Sequence, residues 1–293
     1  MAEVGIIGGS GLYQMDGVTD LKEVVVDTPF GPPSDALLVG RLDGVEVAFL
    51  PRHGRGHRIA PHELPFRANL WALKSVGVKW VLSVSAVGSL REEIAPGHLV
   101  IVDQFIDRMK KHMTFFEDGV VAHVPLADPV CPVLRGALRD AARTALSPSE
   151  VWHDGGTYVC IEGPQFSTRA ESFLYRSWGA SVVGMTNLPE ARLAREAELA
   201  YATLAMATDY DCWHEHHDDV TVEAVLSVLR GNVEKAQRVI RAAVQRVASL
   251  PSSPAFSALE HAIMTAPHLI PRAARERLGL LIDHRLPQRE TTP

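Results

Sequence analysis

Several things are scarce in this chain, and each scarcity removes a class of protein. Its three cysteines, Cys131, Cys160 and Cys212, are odd in number, far apart and lack a Cys-x-x-Cys pair. That favours reduced thiols over a disulfide frame or a zinc site, and no metal is expected. Lys and Arg number 29 against 35 Asp and Glu, a formal net charge of -6, and no tract gathers the cations. Binding to a phosphate backbone needs clustered Lys and Arg, so nucleic acid is not an expected partner, although a small, locally held anion is. No apolar run approaches the roughly 20 residues of a membrane span. The opening Met1 to Gly5 has no charged n-region followed by an apolar h-region, so a cytoplasmic protein is expected.

Familiar catalytic signatures are missing as well. Ile6 to Leu12 runs an apolar strand into Gly8, Gly9, Ser10 and Gly11, but no Gly-Lys-Ser/Thr follows, and Gln14 stands where a dinucleotide fingerprint has its third glycine. His214-Glu215-His216-His217-Asp218 has Asp218 where a zinc-protease helix needs its second histidine. There is no Gly-x-Ser-x-Gly elbow. Neither a cofactor nor a covalent protein nucleophile is expected.

What remains is an ordinary globular composition, 293 residues with 46% apolar content, enough for a large core. Short β-rich runs recur at Val4 to Ile7, Val45 to Leu50, Val81 to Ser85, Leu99 to Val102, Tyr158 to Ile161, Val182 to Gly184 and Leu204 to Thr208. Helical patterns lie between them at about 62–76, 131–146, 168–178 and 188–200. The alternation predicts an α/β fold with a mixed or parallel sheet flanked by helices. Thr221 to Leu250 reads as one long helix, and Leu250-Pro251-Ser252-Ser253-Pro254 breaks it. Two short amphipathic patterns follow, Phe256 to Met264 and Arg272 to Ile282. The expected organisation is therefore one domain over 1–250 with a C-terminal helical arm over 251–293.

The chemistry-bearing residues collect just after the apolar runs. Leu204 to Thr208 ends in Asp209, Tyr210 and Asp211, two carboxyls spaced i, i+2 on one face of an extended chain, either facing a pocket or capping the strand in an Asp-rich turn. Arg52 and His53 follow Phe49-Leu50-Pro51 and suit an oxyanion held with the Ser10 loop. Ser85 to Leu90 and Gly184 to Asn187 are two further junctions of small and hydroxylated residues. Phe166, in Gly163-Pro164-Gln165-Phe166-Ser167, is either a stacking ring or a plug on the core. Val222, Val225 and Leu226 share one face of the long helix.

Taken together, GIIGGSG at Gly5 to Gly11, Asp27 to Gly31 with Pro33 to Asp35, Arg52-His53-Gly54, Arg67-Ala68-Asn69 and Gly88-Ser89-Leu90 form an ordered series. It continues through Asp103 to Arg108, Glu162-Gly163-Pro164 with Phe166-Ser167, Arg169 to Ser172 and Thr208 to Trp213. This series resembles the methylthioadenosine phosphorylases of the trimeric purine nucleoside phosphorylase family. The resemblance implies a nucleoside phosphorylase fold with a partly closed, barrel-like mixed sheet, and a cyclic trimer. It implies phosphorolysis of methylthioadenosine to adenine and 5-methylthioribose 1-phosphate, with inorganic phosphate as co-substrate. It places phosphate on Ser10, Arg52, His53, Ser85, Ala86 and Thr186, and Met185 along the ribose. Phe166 with Ser167 falls on the purine, and Asp209, Tyr210 and Asp211 on the base, Asp209 as general acid at N7. Val222, Val225 and Leu226 fall beside the methylthio group, and His123 reaches a neighbour's site. In 6-oxopurine members an Asn commonly takes the place of Asp209, so a 6-oxopurine or methylthioinosine phosphorylase is the sibling alternative, and a non-catalytic nucleoside sensor the more distant one.

Overall fold

The computed structural model describes residues 2–215 and 222–286, with the backbone alone for residues 10, 222–224 and 227. In chain order the elements are β1 (Val4–Gly8), β2 (Val18–Val24), β3 (Leu37–Leu42), β4 (Val45–Pro51), α1 (Phe66–Ser75), β5 (Trp80–Ser89), β6 (Leu99–Ile101) and β7 (Gln104–Arg108). After these come α2 (Pro132–Ala145), β8 (Trp152–Asp154), β9 (Thr157–Ile161), α3 (Arg169–Ser177), β10 (Val182–Gly184), α4 (Asn187–Glu196), β11 (Ala200–Asp209), α5 (Val222–Val247) and α6 (Arg272–Ile282).

The eleven strands form one mixed sheet in the order β2-β3-β4-β1-β5-β10-β9-β7, with a branch from β5 through β11 and β6 to β8. Among the described residues it does not close on itself. β1 runs parallel to both β4 and β5, and β11 runs parallel to β5. These central strands are apolar on both faces because both faces are covered. Val4 and Ile6 of β1 pack toward α2 and α5 with Leu134, Leu138, Val239 and Ile240. Ile7, one residue on, packs the other way with Leu70 and Leu73 of α1 and Leu193 of α4. That alternation is the period-2 geometry of a strand.

The long helix and α6 fall where hydropathy places them. β2 went unread because it is an edge strand of sequence VTDLKEV, exposed along most of its length, and charged edges of this kind hide the strand pattern. The pattern over Phe256 to Met264 does not become a helix: Pro254–Ser257 is a single 3-10 turn, and turns follow it. Ala200 belongs to β11, not to the preceding helix, because Glu198 takes a left-handed φ of 53° and ends that run.

Residues 251–286 pack on the α1 and α4 side through Leu259, Ala262, Ile270, Leu278 and Ile282. They are latched by Glu198, which is buried and accepts from His284 Nε2 at 2.6 Å, Arg285 Nη2 at 2.9 Å and the Leu259 amide at 2.9 Å. Among the described residues no helix is long and apolar enough to cross a membrane.

Candidate active site

β1 and β4 end together, at Gly8 and Pro51, level with the middle of β5 and of β11, which both run on past them. Ligands of open α/β sheets sit beyond the carboxyl ends of such strands. A cavity of about 540 Å³ opens there, lined by the ends of these strands, the Gly184–Thr186 turn, Phe166 and one face of α5.

One part of the cavity wall is polar. Gly9, His53, Ser85, Ala86 and Thr186 all border it. Ala86 is the one exposed residue of an otherwise covered strand, because its face looks into the cavity. Thr186, the residue before α4, borders the cavity and makes no side-chain cap bond, so the positive end of that helix lies next to the cavity wall. His53 Nδ1 lies 2.8 Å from the Ile59 carbonyl; a carbonyl only accepts, so Nδ1 carries the hydrogen and Nε2 remains for a ligand. Burial, then the Arg52 charge, lowers the His53 pKa to about 4.

Arg52 lies against the cavity but is largely committed behind it. Its Nε donates to Glu190 Oε1 at 2.5 Å, Nη2 to Ser83 Oγ at 2.6 Å and Nη1 to the Val84 carbonyl at 2.8 Å. Glu190 also accepts from Ser83 and Tyr201, and Asn187 Nδ2 donates to Ser83 and Tyr201. Burial works against the guanidinium charge, and Glu190 more than offsets it. The hydroxyl of Ser85 donates to Asn187 Oδ1.

At the other polar corner β11 carries a bulge. Ala207 pairs with Val87 and Asp209 with Gly88, leaving Thr208 as the extra residue. A bulge bends a strand and re-aims the side chain beyond it. Asp209 and Asp211 both reach the cavity, while Tyr210 between them does not line it. Its ring packs with Trp213, and its hydroxyl donates to the Glu92 carbonyl. Asp211 lies past the end of the strand in a turn, with a left-handed φ of 50° and its amide on the Asp209 carboxyl, so the two acids share the cavity through an Asp-capped turn and not by strand alternation. A β-carbon at Gly88 would stand 2.8 Å from Asp209 Oδ1, so the acid rests on bare backbone. Asp209 accepts from Thr208 Oγ1 at 2.7 Å and from the Asp211 amide at 2.8 Å, yet burial still raises its pKa. Asp211 is pushed up to about 6 by burial and, against the pull of the Ser172 hydroxyl, by the Asp209 charge. Its Oδ2 is buried with no hydrogen-bond partner.

These shifts make a prediction about pH. His53, with its pKa depressed from 6.5 to about 4, contributes stability above 6.5 that is lost as pH falls toward 4. Asp211, raised from 3.8 to about 6, contributes the opposite: stability present in acid and lost as pH rises through 6. Between pH 6 and 4 the two offset each other. An Asp211→Asn variant should therefore lose melting temperature more steeply than the wild type on acidification. Parallel curves would refute the assignment.

The remaining wall is aliphatic. Val225, Leu229, Val233 and Ala236 of α5, with Leu12 and Met206, border the cavity. Leu226 is 53% exposed and is not among the lining residues, since the row on the helix runs 225, 229, 233 and not 222, 225, 226. The side chains of Ser10 and Val222 lie outside the described residues. Phe166 and Ser167 face the cavity, and their loop is tied to the carboxyl turn by Cys212 Sγ on the Ser167 carbonyl and by Arg169 on the Cys212 carbonyl. Met185 borders the cavity next to Gly163. His123 is exposed and its amide pairs with Ala262, away from the cavity of its own chain. Among the described residues no three His, Cys, Asp or Glu side chains are placed to hold a metal.

Residues 3–245 match the phosphorylase superfamily. The chain belongs to that superfamily. A curated relative from Geobacter sulfurreducens, named S-methyl-5'-thioadenosine phosphorylase, is 56% identical over 95% of this chain and 97% of its own length. Another of the same name, from Thermosynechococcus vestitus, is 57% identical over 96% and 98%. A solved methylthioadenosine phosphorylase sourced from an antarctic soil metagenomic library matches with a TM-score of 0.92 at 50% identity, covering 98% of this chain and 99% of that one. The Schistosoma mansoni methylthioadenosine phosphorylase in complex with adenine matches with a TM-score of 0.80 at 38% identity, over 85% and 93%. The resemblance read from the motifs is thus the right one, and the fold is the nucleoside phosphorylase fold.

In this phosphorylase the buried Ser83, Asn187, Glu190 and Tyr201 network is what sequence reasoning missed. A signal was there: Asn187 and Glu190 share a helical face with Ala191 and Ala194, an unusual place for an amide and a carboxyl unless they have buried partners.

Proposed function

We propose that the chain catalyses reversible phosphorolysis of S-methyl-5'-thioadenosine by inorganic phosphate, giving adenine and 5-methylthioribose 1-phosphate, in methionine and purine salvage. One observation carries the reading: a single cavity has hydroxyls and a helix N-terminus at one end, a pair of carboxyls of raised pKa at another and an aliphatic helix face along its side. Those surfaces match a phosphate, a purine and a thioether in turn. The names of the relatives agree with it.

In the reaction a phosphate oxygen attacks C1' of the ribose while the bond from C1' to N9 breaks and its electrons pass to the purine. Protonated Asp209 gives its proton to N7, so the base leaves neutral. Asp211, as an acceptor, takes the exocyclic amine, which favours adenine over a 6-oxopurine. Phosphate rests on the Ser85, Ala86 and Thr186 wall, with the Ser10 loop above it. Arg52 contributes its charge from behind that wall, tempered by Glu190. Neutral His53 accepts at Nε2 from the P–OH of hydrogen phosphate. Met185 lies along the ribose, Phe166 and Ser167 pack on the base, and Val225 with the α5 row receives the methylthio group. No cofactor takes part. The working unit is a cytoplasmic trimer in which His123 reaches a neighbouring site, with 251–293 an extension of the same domain.

Purified protein incubated with methylthioadenosine should release adenine only when phosphate is present. Release without phosphate would mean a hydrolase, and faster cleavage of methylthioinosine or inosine would overturn the role given to the carboxyl pair.

A further inference from the structure

Tyr158 is the second residue of β9, fully buried, its ring 5.4 Å from that of Phe105. Its neighbours Val87, Val102, Val182 and Leu188 form an apolar cluster in which a phenylalanine would serve as well. Its hydroxyl has no hydrogen-bond partner. A buried donor without a partner destabilises a fold, and such groups in native proteins call for an explanation.

The oxygen has a particular position. A β-carbon at Gly184 would stand 2.0 Å from it, so it lies directly behind the turn that borders the anion end of the cavity, and only glycine leaves room for it there. The Thr186 amide and the Ser85 hydroxyl stand close enough to oppose the rise that burial imposes on its pKa, though neither makes a hydrogen bond to it. Both belong to the proposed phosphate wall. Ser85 Oγ donates to Asn187 Oδ1 in the described state.

We propose that Tyr158 is a positioning residue for the bound anion, its hydroxyl donating to Ser85 Oγ once Ser85 turns its own hydrogen to a phosphate oxygen. The anion is the stronger acceptor and draws the Ser85 hydrogen from Asn187. Tyr158 then holds Ser85 from behind, and the Thr186 amide faces the tyrosine oxygen. The unpaired Tyr158 hydroxyl is the poised half of that arrangement. The inference rests on the phosphorolysis reading given above.

Tyr158→Phe tests it, with KM for phosphate and for methylthioadenosine measured separately and the melting temperature followed with and without phosphate. The expected result is a rise of about fivefold in the phosphate KM, the scale of one hydrogen bond, with the nucleoside KM unchanged. Without phosphate the melting temperature should be equal to or above that of the wild type, and the rise on adding phosphate should shrink. An unchanged phosphate KM overturns the proposal. So does a fall in melting temperature with both KM values moving together, which is the mark of a packing role. Adenine release by the wild type that ignores phosphate would instead overturn the parent reading, and this one with it.

Discussion

An Asp209→Asn variant should cleave methylthioadenosine at least a hundredfold more slowly than the wild type, the lower end of what a positioned general acid contributes. The substitution preserves size, its one oxygen can still meet the Asp211 amide, and its NH2 can donate to the Thr208 hydroxyl in place of the second oxygen, so the loss falls on proton delivery. Asn has no proton to give to N7. Its amide can donate to a 6-oxo group, so the ratio of kcat/KM for inosine or methylthioinosine over methylthioadenosine should rise. Folding should not suffer, because a carboxyl whose pKa burial has raised is replaced by a group with no charge to desolvate. An unchanged rate and ratio would remove Asp209 from the chemistry and leave Asp211, whose pKa stands near 6, as the acid to examine.

The second large effect is one of stability. In a Glu190→Ala variant, Arg52 keeps its charge in a site where it is only 4% exposed and loses the carboxylate that meets both its Nε and Nη2. Stranding a buried charge costs on the order of 3–5 kcal/mol. The donors of Ser83 and Tyr201 lose their acceptor as well. The urea midpoint should fall accordingly, and phosphate affinity should change with it, because the network backs the anion end of the cavity. Removing both partners, Arg52→Met with Glu190→Leu, should restore part of the stability while leaving phosphate binding impaired. A single variant within about 1 kcal/mol of the wild type would mean that water reaches the guanidinium and that the pair is not the foundation described.

The sequence read best where one physical rule acted alone. Val4 to Gly8, Val45 to Pro51 and Ala200 to Asp209 are central strands, and burial on both faces forces their composition. Asp209 and Asp211 both border the cavity as their spacing suggests, but through the Asp-rich turn that is the other reading of this segment, since Asp211 lies beyond the strand with a left-handed φ of 50°. The row on α5 was misplaced by one turn because helical spacing gives a face but not which neighbour it meets; Leu226 lies on the outward side and Leu229 on the inward one. Arg52 was read as a phosphate fork from its place after β4. Its partner Glu190 lies 138 residues away, and no local pattern joins the two. The bulge at Thr208 is likewise a property of paired strands, invisible in either one alone.

The branching of the sheet at β5 has a bearing on time as well as on shape. This strand is bonded to β11 along nearly its whole length, to β1 over its first four residues and to β10 at its end, so it joins the branches of the sheet. Local opening follows the elements that have the fewest bonds to break. Ser85 and Ala86 are paired with Ala205 and Met206 of the long buried β11, whereas the aliphatic row opposite them hangs from a single helix. In the proposed reaction the two co-substrates would therefore meet surfaces with different lifetimes: a fixed seat for the phosphate that attacks, and a yielding one for the methylthio group of the nucleoside, which only has to fit.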